Sequence, residues 1–308
     1  MEKQLYDVAV LGGGPAGYTA ALYAARAGLR AIVLEKFTAG GQMTETPAIE
    51  NYPGLAEREI DGFTLGARMK EGAERFGAET ATTEVLSVVL REAPKRILTD
   101  AGEYFAHTVI LATGAVHKHL GIEGEAALVG RGLGYCASCD GMFFKGKTVG
   151  VIGGGNSAAA DALLLSKLAK KVYLIHRRDS LRAERVYHEK LKHAENVEFK
   201  WSCVAEELLS DERLTGVRLF HRDTGEKEDL SLDGLFISIG RSPETKLFAG
   251  QLATDEYGYI VAGEDTETSI PGVFAAGDVR TKPFRQIVTA TADGATAAYL
   301  AEKYISAL

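Results

Sequence analysis

Two cysteines separated by two residues, Cys136-Ala137-Ser138-Cys139, are followed at once by Asp140. That spacing lets the two sulfurs come within bonding range and lets one thiol depress the pKa of the other. The pattern reads as a redox couple with an acid beside it. Half of a zinc site and a pair of buried small residues are the competing readings. A zinc site needs about four ligands, and neither a second CxxC nor a suitably spaced histidine pair is present; His117 and His119, the histidines nearest the dithiol, do not match a ribbon or finger. No metal is therefore expected. The third cysteine, Cys203, has no neighbour in sequence and reads as a structural thiol.

The dithiol lies between two glycine loops, one beginning at Gly12 and one at Gly153. Residues 8–17 read VAVLGGGPAG and residues 149–158 read VGVIGGGNSA, a repeat displaced by 141 residues. In each copy an apolar strand runs into a glycine turn and a helix leaves it. The first helix is predicted from about Pro15 to Ala27, with proline suited to its first turn and Gly28 able to end it. The second is predicted from about Ser157 to Leu168. Further strands are expected at Ala31–Leu34 and Val172–Ile175, and at the runs ending in Gly114 and Gly240. Strand, glycine turn, helix and strand build a parallel sheet with helices packed on it. The segment Thr64–Phe76 is read as an amphipathic helix with Leu65, Met69, Ala73 and Phe76 on its core face.

Gly12-x-Gly14-x-x-Gly17 fits a dinucleotide fingerprint, with Glu35 closing the second strand where an acid can bind a ribose hydroxyl. Gly153-x-Gly155-x-x-Ala158, with Asn156 and Ser157 inside it, is a variant of the same loop. The 141-residue shift carries Glu35 onto His176, which is followed by Arg177, Arg178 and, further on, Arg182. A cationic cluster in place of the ribose acid suits a 2′-phosphate, so this loop is read as an NADPH site. Hydride arrives from a nicotinamide as two electrons, and a disulfide takes up two through thiolate chemistry. Flavin links the two, which makes the first loop the FAD site.

The fold expected is α/β, with two Rossmann-like dinucleotide-binding domains. The strand ending in Gly277-Asp278 is taken to return to the first domain, which is then discontinuous and holds the NADPH domain as an insertion. The expected boundaries are 1–116 and 247–308 for the FAD-binding domain and 117–246 for the NADPH-binding domain carrying the CxxC. A chain of 308 residues suits about two domains. A net charge of −7 gives no nucleic-acid surface. The start, Met1-Glu2-Lys3-Gln4-Leu5, has no signal-peptide layout, no run is long enough to span a membrane, and three cysteines fit a reducing cytoplasm.

Over essentially its whole length the chain resembles the low-molecular-weight, bacterial-type thioredoxin reductases, members of the flavoprotein disulfide reductases. The stretches that carry the resemblance are residues 12–21, 40–42, 50–54, 136–141, 153–158, 176–179 and 272–279, with Arg285-Gln286. The resemblance implies flavin contacts at Gly12, Gly14, Gly17, Glu35, Gly41, Gln42 and Asn51. It adds Asp278 on the ribityl side and Arg285, Gln286 and Ile287 near the ring. It places Cys139 next to flavin, makes Cys136 the attacker of the partner's disulfide, and makes Asp140 the acid that protonates the departing thiolate. It also implies a homodimer, thioredoxin as partner, and a rotation of one domain against the other between half-reactions. Two departures stand out. Ala160 precedes Asp161 where the family often has two acids, and Met142 stands where some members have phenylalanine. The alternatives are another thioredoxin- or glutaredoxin-like carrier, a different electron donor, and a flavin redox sensor that does not turn over.

Overall fold

The computed structural model describes residues 5–45, 49, 51–55 and 60–308. Met1 to Gln4 and Glu50 of the 50–54 stretch lie outside the described residues. Leu5–Leu11 forms strand β1, and its Val8, Ala9 and Val10 are fully buried because each face of the strand enters a core, Val8 and Val10 among helical alanines such as Ala20 and Ala297, and Ala9 among Ile97, Phe248 and Ile260. Pro15–Arg26 follows as α1. Proline opens it, alanines fill its buried face, and Gly28 at φ +80° stops it. Next come β2 (Ala31–Glu35), α2 (Gly62–Glu74) and the strands β3 (Glu79–Thr82), β4 (Val85–Val89), β5 (Lys95–Thr99) and β6 (Gly102–Leu111). Helix α2 starts on Asp61, whose side chain accepts the Thr64 N–H at 2.7 Å. Leu65 and Ala73 of its predicted stripe are buried and Met69 packs on the same core, but Phe76 falls past the helix end and is 38% exposed. The guanidinium groups of Arg26 and Arg75 lie over its ring instead, at 4.8 and 5.1 Å.

The chain then runs through β7 (Ala115–His117), α3 (Glu125–Leu128), β8 (Leu133–Gly134), α4 (Ala137–Asp140), β9 (Thr148–Ile152), α5 (Asn156–Ser166), β10 (Lys171–Ile175) and α6 (Arg185–Lys192). Five strands follow: β11 (Val197–Lys200), β12 (Cys203–Ser210), β13 (Leu214–His221), β14 (Lys227–Ser231) and β15 (Gly234–Ile237). The last elements are β16 (Arg241–Pro243), β17 (Val273–Ala275) and α7 (Ile287–Ser306).

Two compact units result, Met1–Val116 with Ser242–Leu308, and His117–Arg241. The first holds a sheet in the order β3-β2-β1-β6-β5-β4, with β17 also on β6. The length of β6 makes this possible: its first half pairs antiparallel with β5, while Val109–Leu111 pair parallel with β17. The second unit holds the parallel sheet β11-β10-β9-β15-β8 and an antiparallel meander β12-β13-β14. Strands β7 and β16, the two crossings between units, pair with each other.

The internal repeat is carried into register. Val8 opposes Ala31 and Leu11 opposes Leu34 in the first sheet, and Val149 opposes Val172 and Ile152 opposes Ile175 in the second. Each pair is displaced by the same 141 residues as the glycine loops.

Candidate active site: two glycine turns and a dithiol

Gly12 has φ +105°, a backbone region open to glycine, and a β-carbon there would overlap the Ala112 carbonyl at the end of β6. A β-carbon on Gly17 would overlap the Gly12 carbonyl, so this glycine lets α1 lie against its own turn. Gly14, the N-cap of α1, has no atom within 4 Å of where a β-carbon would stand, and no side chain caps the helix. The first N–H groups of α1 thus meet open space, which is the provision a phosphate needs. Glu35 ends β2, with one carboxylate oxygen accepting the Gly13 N–H at 2.6 Å and the other the Phe37 N–H at 3.0 Å. Acceptor capacity for ribose hydroxyls is left over.

Gly41 comes over this turn, where its β-carbon would lie 3.3 Å from Gly14, and Gln42 follows in the same short helical turn, Gly41–Glu45. Asn51 donates to the Gln286 side chain at 3.0 Å, across 235 residues of sequence. Gln286 caps α7 through a reciprocal exchange with Thr289, and Ile287 opens that helix, packed on Met43, Ile49, Ile60 and Leu65. The Arg285 guanidinium donates to the carbonyls of Asp278 and Arg280 at 3.3 and 3.1 Å and lies over the Tyr259 ring at 3.9 Å. Gly277, beside Asp278, faces the Ala16 methyl at the start of α1. The first unit therefore holds all of these residues and brings Gly41 to the Gly14 turn, Gly277 to the start of α1 and Asn51 to Gln286. An uncapped helix start facing open space and a strand-end carboxylate form a donor set that fits FAD.

The second unit repeats the turn with different chemistry. Gly153 takes the place of Gly12, its β-carbon position overlapping the Ser238 carbonyl at the end of β15. Gly155 caps α5 without a side-chain bond and faces open space, as Gly14 does. Ala158 is fully buried beneath Gly153, and Ser157 is exposed in the first turn of α5. His176 stands where Glu35 stands in the first copy. A β-carbon on Gly154 would overlap its ring, it is 5% exposed, and its Nε2 has no partner among the described residues. Burial, with Arg182, Arg178 and Arg177 nearby, pushes its pKa down. The positive charge of this cluster comes accordingly from the three exposed arginines rather than from the histidine. Arg182 and Ala183 donate their N–H groups to the Gly154 carbonyl at 2.7 and 3.1 Å. The Asn156 amide holds Glu184 by two bonds of 2.8 Å. Both ties anchor the arginine-bearing loop beside the glycine turn. They join residues far apart in sequence, and Glu184 and the Gly154 carbonyl gave no motif by which to find them. This set fits NADPH, with a helix start for the pyrophosphate and exposed guanidinium groups for the 2′-phosphate.

The dithiol sits on the same unit. Cys136 and Cys139 are disulfide-bonded with their α-carbons 5.3 Å apart, both half-buried, Cys136 as the N-cap of α4 and Cys139 within it. The Cys136 sulfur lies 3.3 Å from the Ser138 hydroxyl. Asp140 follows. One of its carboxyl oxygens is buried without a partner, and burial pushes its pKa up to about 6. A protonated carboxyl at that position can donate a proton near neutral pH. Tyr135, just before Cys136, donates to Glu125 at 2.7 Å, its hydroxyl lies 2.8 Å from His119 Nδ1, and its ring stacks on His117 at 4.9 Å. Sequence reasoning passed over this tether because its members share no local spacing. Met142 and Phe143, next to the dithiol, are 50% and 43% exposed. Asp161 is half-buried and accepts a bond from the Ser238 hydroxyl, and Cys203 is buried with its sulfur donating to the Trp201 carbonyl at 3.0 Å.

Two nucleotide turns and a disulfide define a class that moves electrons between a pyridine nucleotide and a disulfide. The family model for pyridine nucleotide-disulphide oxidoreductases matches residues 6–294. The thioredoxin reductase of Listeria monocytogenes is 44% identical over 308 residues, covering 100% of this chain and 96% of that protein. That of Treponema pallidum is 45% identical, covering 98% of each. The crystal structure of thioredoxin reductase from Streptococcus pyogenes superposes with a TM-score of 0.91 at 40% identity, covering 99% of both chains. The chain belongs to the thioredoxin reductase family of pyridine nucleotide-disulphide oxidoreductases. It is an oxidoreductase that uses FAD and NADPH.

Proposed function

We propose that the protein reduces the disulfide of thioredoxin, drawing two electrons from NADPH and passing them through the Cys136–Cys139 couple. The observation that carries this reading is the disulfide itself with a buried carboxyl pushed up to about 6 beside it. FAD, when bound, supplies the two-electron step between nicotinamide and disulfide. Gly12, Gly14, Gly17, Glu35, Gly41, Gln42, Asn51, Asp278, Arg285, Gln286 and Ile287 hold it, and the 153–158 turn with Arg177, Arg178 and Arg182 holds NADPH.

The chemistry of this chain's residues runs as two exchanges. Once the dithiol is reduced, the Cys136 thiolate attacks one sulfur of the partner disulfide. A mixed disulfide forms and the partner's other sulfur leaves as a thiolate. The Cys139 sulfur then attacks Cys136, which restores the intramolecular disulfide and releases the partner with both sulfurs reduced. Asp140 gives the proton that a departing thiolate needs. Exposed Met142 and Phe143 offer apolar surface beside Cys136 for the partner protein.

The dithiol and the NADPH residues belong to one unit, and the flavin residues to the other. Both must reach one flavin, which supports a rotation about the β7 and β16 crossings between half-reactions. Cross-linking the units should then preserve either flavin reduction by NADPH or thiol exchange, and a locked protein that still turns over fully would rule rotation out. The working form is taken as a cytoplasmic homodimer, which sedimentation checks for assembly and fractionation for compartment. Among the described residues no helix is long and apolar enough to cross a membrane.

The decisive assay mixes the purified protein with NADPH or NADH, then adds thioredoxin and a thiol reporter. NADPH-dependent reporter turnover that needs thioredoxin is expected. Flavin bleaching without turnover would point to another carrier or a sensor.

A further inference from the structure

Helix α7 carries Asp293 and Gly294, which no motif singles out. Asp293 is 6% exposed and collects bonds from three residues. Its Oδ2 accepts the Gly277 N–H, the Arg280 Nε–H and the Lys282 ammonium, each at 2.8 Å, and its Oδ1 accepts the Arg280 Nη2–H at 2.7 Å. The side chains of Arg280 and Lys282 are 3% and 4% exposed. Arg280 reaches on to the carbonyls of Ala262 and Thr281, and Lys282 to that of Thr289 in the first turn of α7. The only other carboxylate near Arg280 among the described ion pairs is Glu264 at 3.8 Å, which is 95% exposed. One residue on, a β-carbon at Gly294 would overlap the Ala16 carbonyl in the first turn of α1. The Gly277 β-carbon position is itself 3.0 Å from the Ala16 methyl.

Three pieces of chain therefore meet at one dipeptide. They are the start of α1 behind Gly14, the Gly277–Asp278 turn, and α7, whose first residues are Gln286 and Ile287. We propose that Asp293, with Gly294 beside it, is the positioning residue of the flavin site. It sets the distance between the phosphate end, built near the start of the chain, and the ring end, built near its finish. This rests on the assignment of the FAD site to the first unit.

Stability alone does not call for this arrangement. Two buried cations around one carboxylate are no more stabilising, as a rule, than apolar side chains of the same volume. What an apolar replacement cannot provide is an acceptor for the Gly277 N–H, and an amide that keeps this acceptor turns its NH2 onto the Arg280 Nη2 donor, so the carboxylate alone fixes the turn at Asp278. The proposal thus separates folding from flavin binding.

The test measures the FAD dissociation constant by flavin fluorescence on reconstituted apoprotein, beside the melting temperature of the apoprotein. Three variants are compared with the natural chain: Asp293→Asn, the apolar triple Arg280→Met/Lys282→Met/Asp293→Leu, and Asp278→Ala. Asp293→Asn should weaken FAD binding by about tenfold or more, the scale of losses when the support of a bound group is removed. The triple variant should melt with the natural apoprotein and bind FAD as weakly as Asp293→Asn. A triple variant that folds and binds FAD at natural affinity, while Asp278→Ala binds it weakly, overturns the positioning role and leaves the flavin site standing. Natural affinity in all three, Asp278→Ala included, overturns the flavin-site assignment and the proposal with it.

Discussion

Burial raises the Asp140 carboxyl to about 6, and this has a thermodynamic face as well as a catalytic one. The folded protein holds that proton more tightly than the unfolded chain, whose aspartate titrates near 3.8. Stability contributed by the protonated form is thus complete below the unfolded value and is lost as pH rises through about 6, a change on the order of 3 kcal/mol. Asp140→Asn removes the titration. Its denaturant midpoint should change less between pH 4 and 8 than the natural protein's and be higher at pH 8, while disulfide turnover falls roughly 100-fold for want of the proton donor. A variant that gained stability and kept full turnover would strip Asp140 of its assigned role. At the nucleotide turn, Arg177→Ala/Arg178→Ala should raise KM for NADPH by about 10- to 100-fold and leave KM for NADH nearly unchanged, since each charge-assisted bond to the 2′-phosphate contributes about 1.5–3 kcal/mol. Steady-state kinetics with both nucleotides checks this.

Glycines that look alike in the fingerprint do different work in the strand–turn–helix element. Gly17→Ala drives a methyl into the Gly12 carbonyl, so α1 must lift off its turn and the melting temperature should drop by several degrees. Gly14→Ala meets no protein atom, so stability should move by no more than about 0.5 kcal/mol while FAD affinity falls, because the methyl stands where the pyrophosphate must approach. Thermal melts and flavin titrations of the two variants separate the roles. Elements of this kind were legible from sequence, since a glycine turn, its flanking strand and the acid or base closing the next strand are local and recur at a constant shift. The positive cluster was legible as well, although burial of His176 leaves its charge to the arginines. The antiparallel pieces, β4 with β5 and the β12–β14 meander, were not, for they bear no fingerprint and their pairing is decided by packing. Asp293 escaped for the same reason: an aspartate in an alanine-rich helix gives no sign of partners at Gly277, Arg280 and Lys282 until the helix is seated.

At the scale of the whole molecule, each unit has its own core. Tyr6, Leu11, Leu34, Leu90, Ile97 and Phe248 are among the residues that fill one side of the first sheet, and Val149, Val151, Leu165, Leu174 and Phe236 lie together in the second unit. Residues 117–241, expressed alone, should therefore fold cooperatively, retain the Cys136–Cys139 pair and bind NADPH but not FAD. Circular dichroism melts and nucleotide titrations would show this, and an unfolded fragment would mean that its stability is borrowed from the rest of the chain. The pairing of β7 with β16 has a consequence for exchange of the insert. The Lys118 N–H donates to the Gly240 carbonyl at 3.1 Å, so the insert begins and ends at one place. A segment whose ends touch can be spliced into a host strand-to-strand connection, or exchanged for a foreign counterpart, without stretching either side. Residues 117–241 thus form a cassette, which a counterpart whose ends also touch should replace without disturbing the strands of the host sheet.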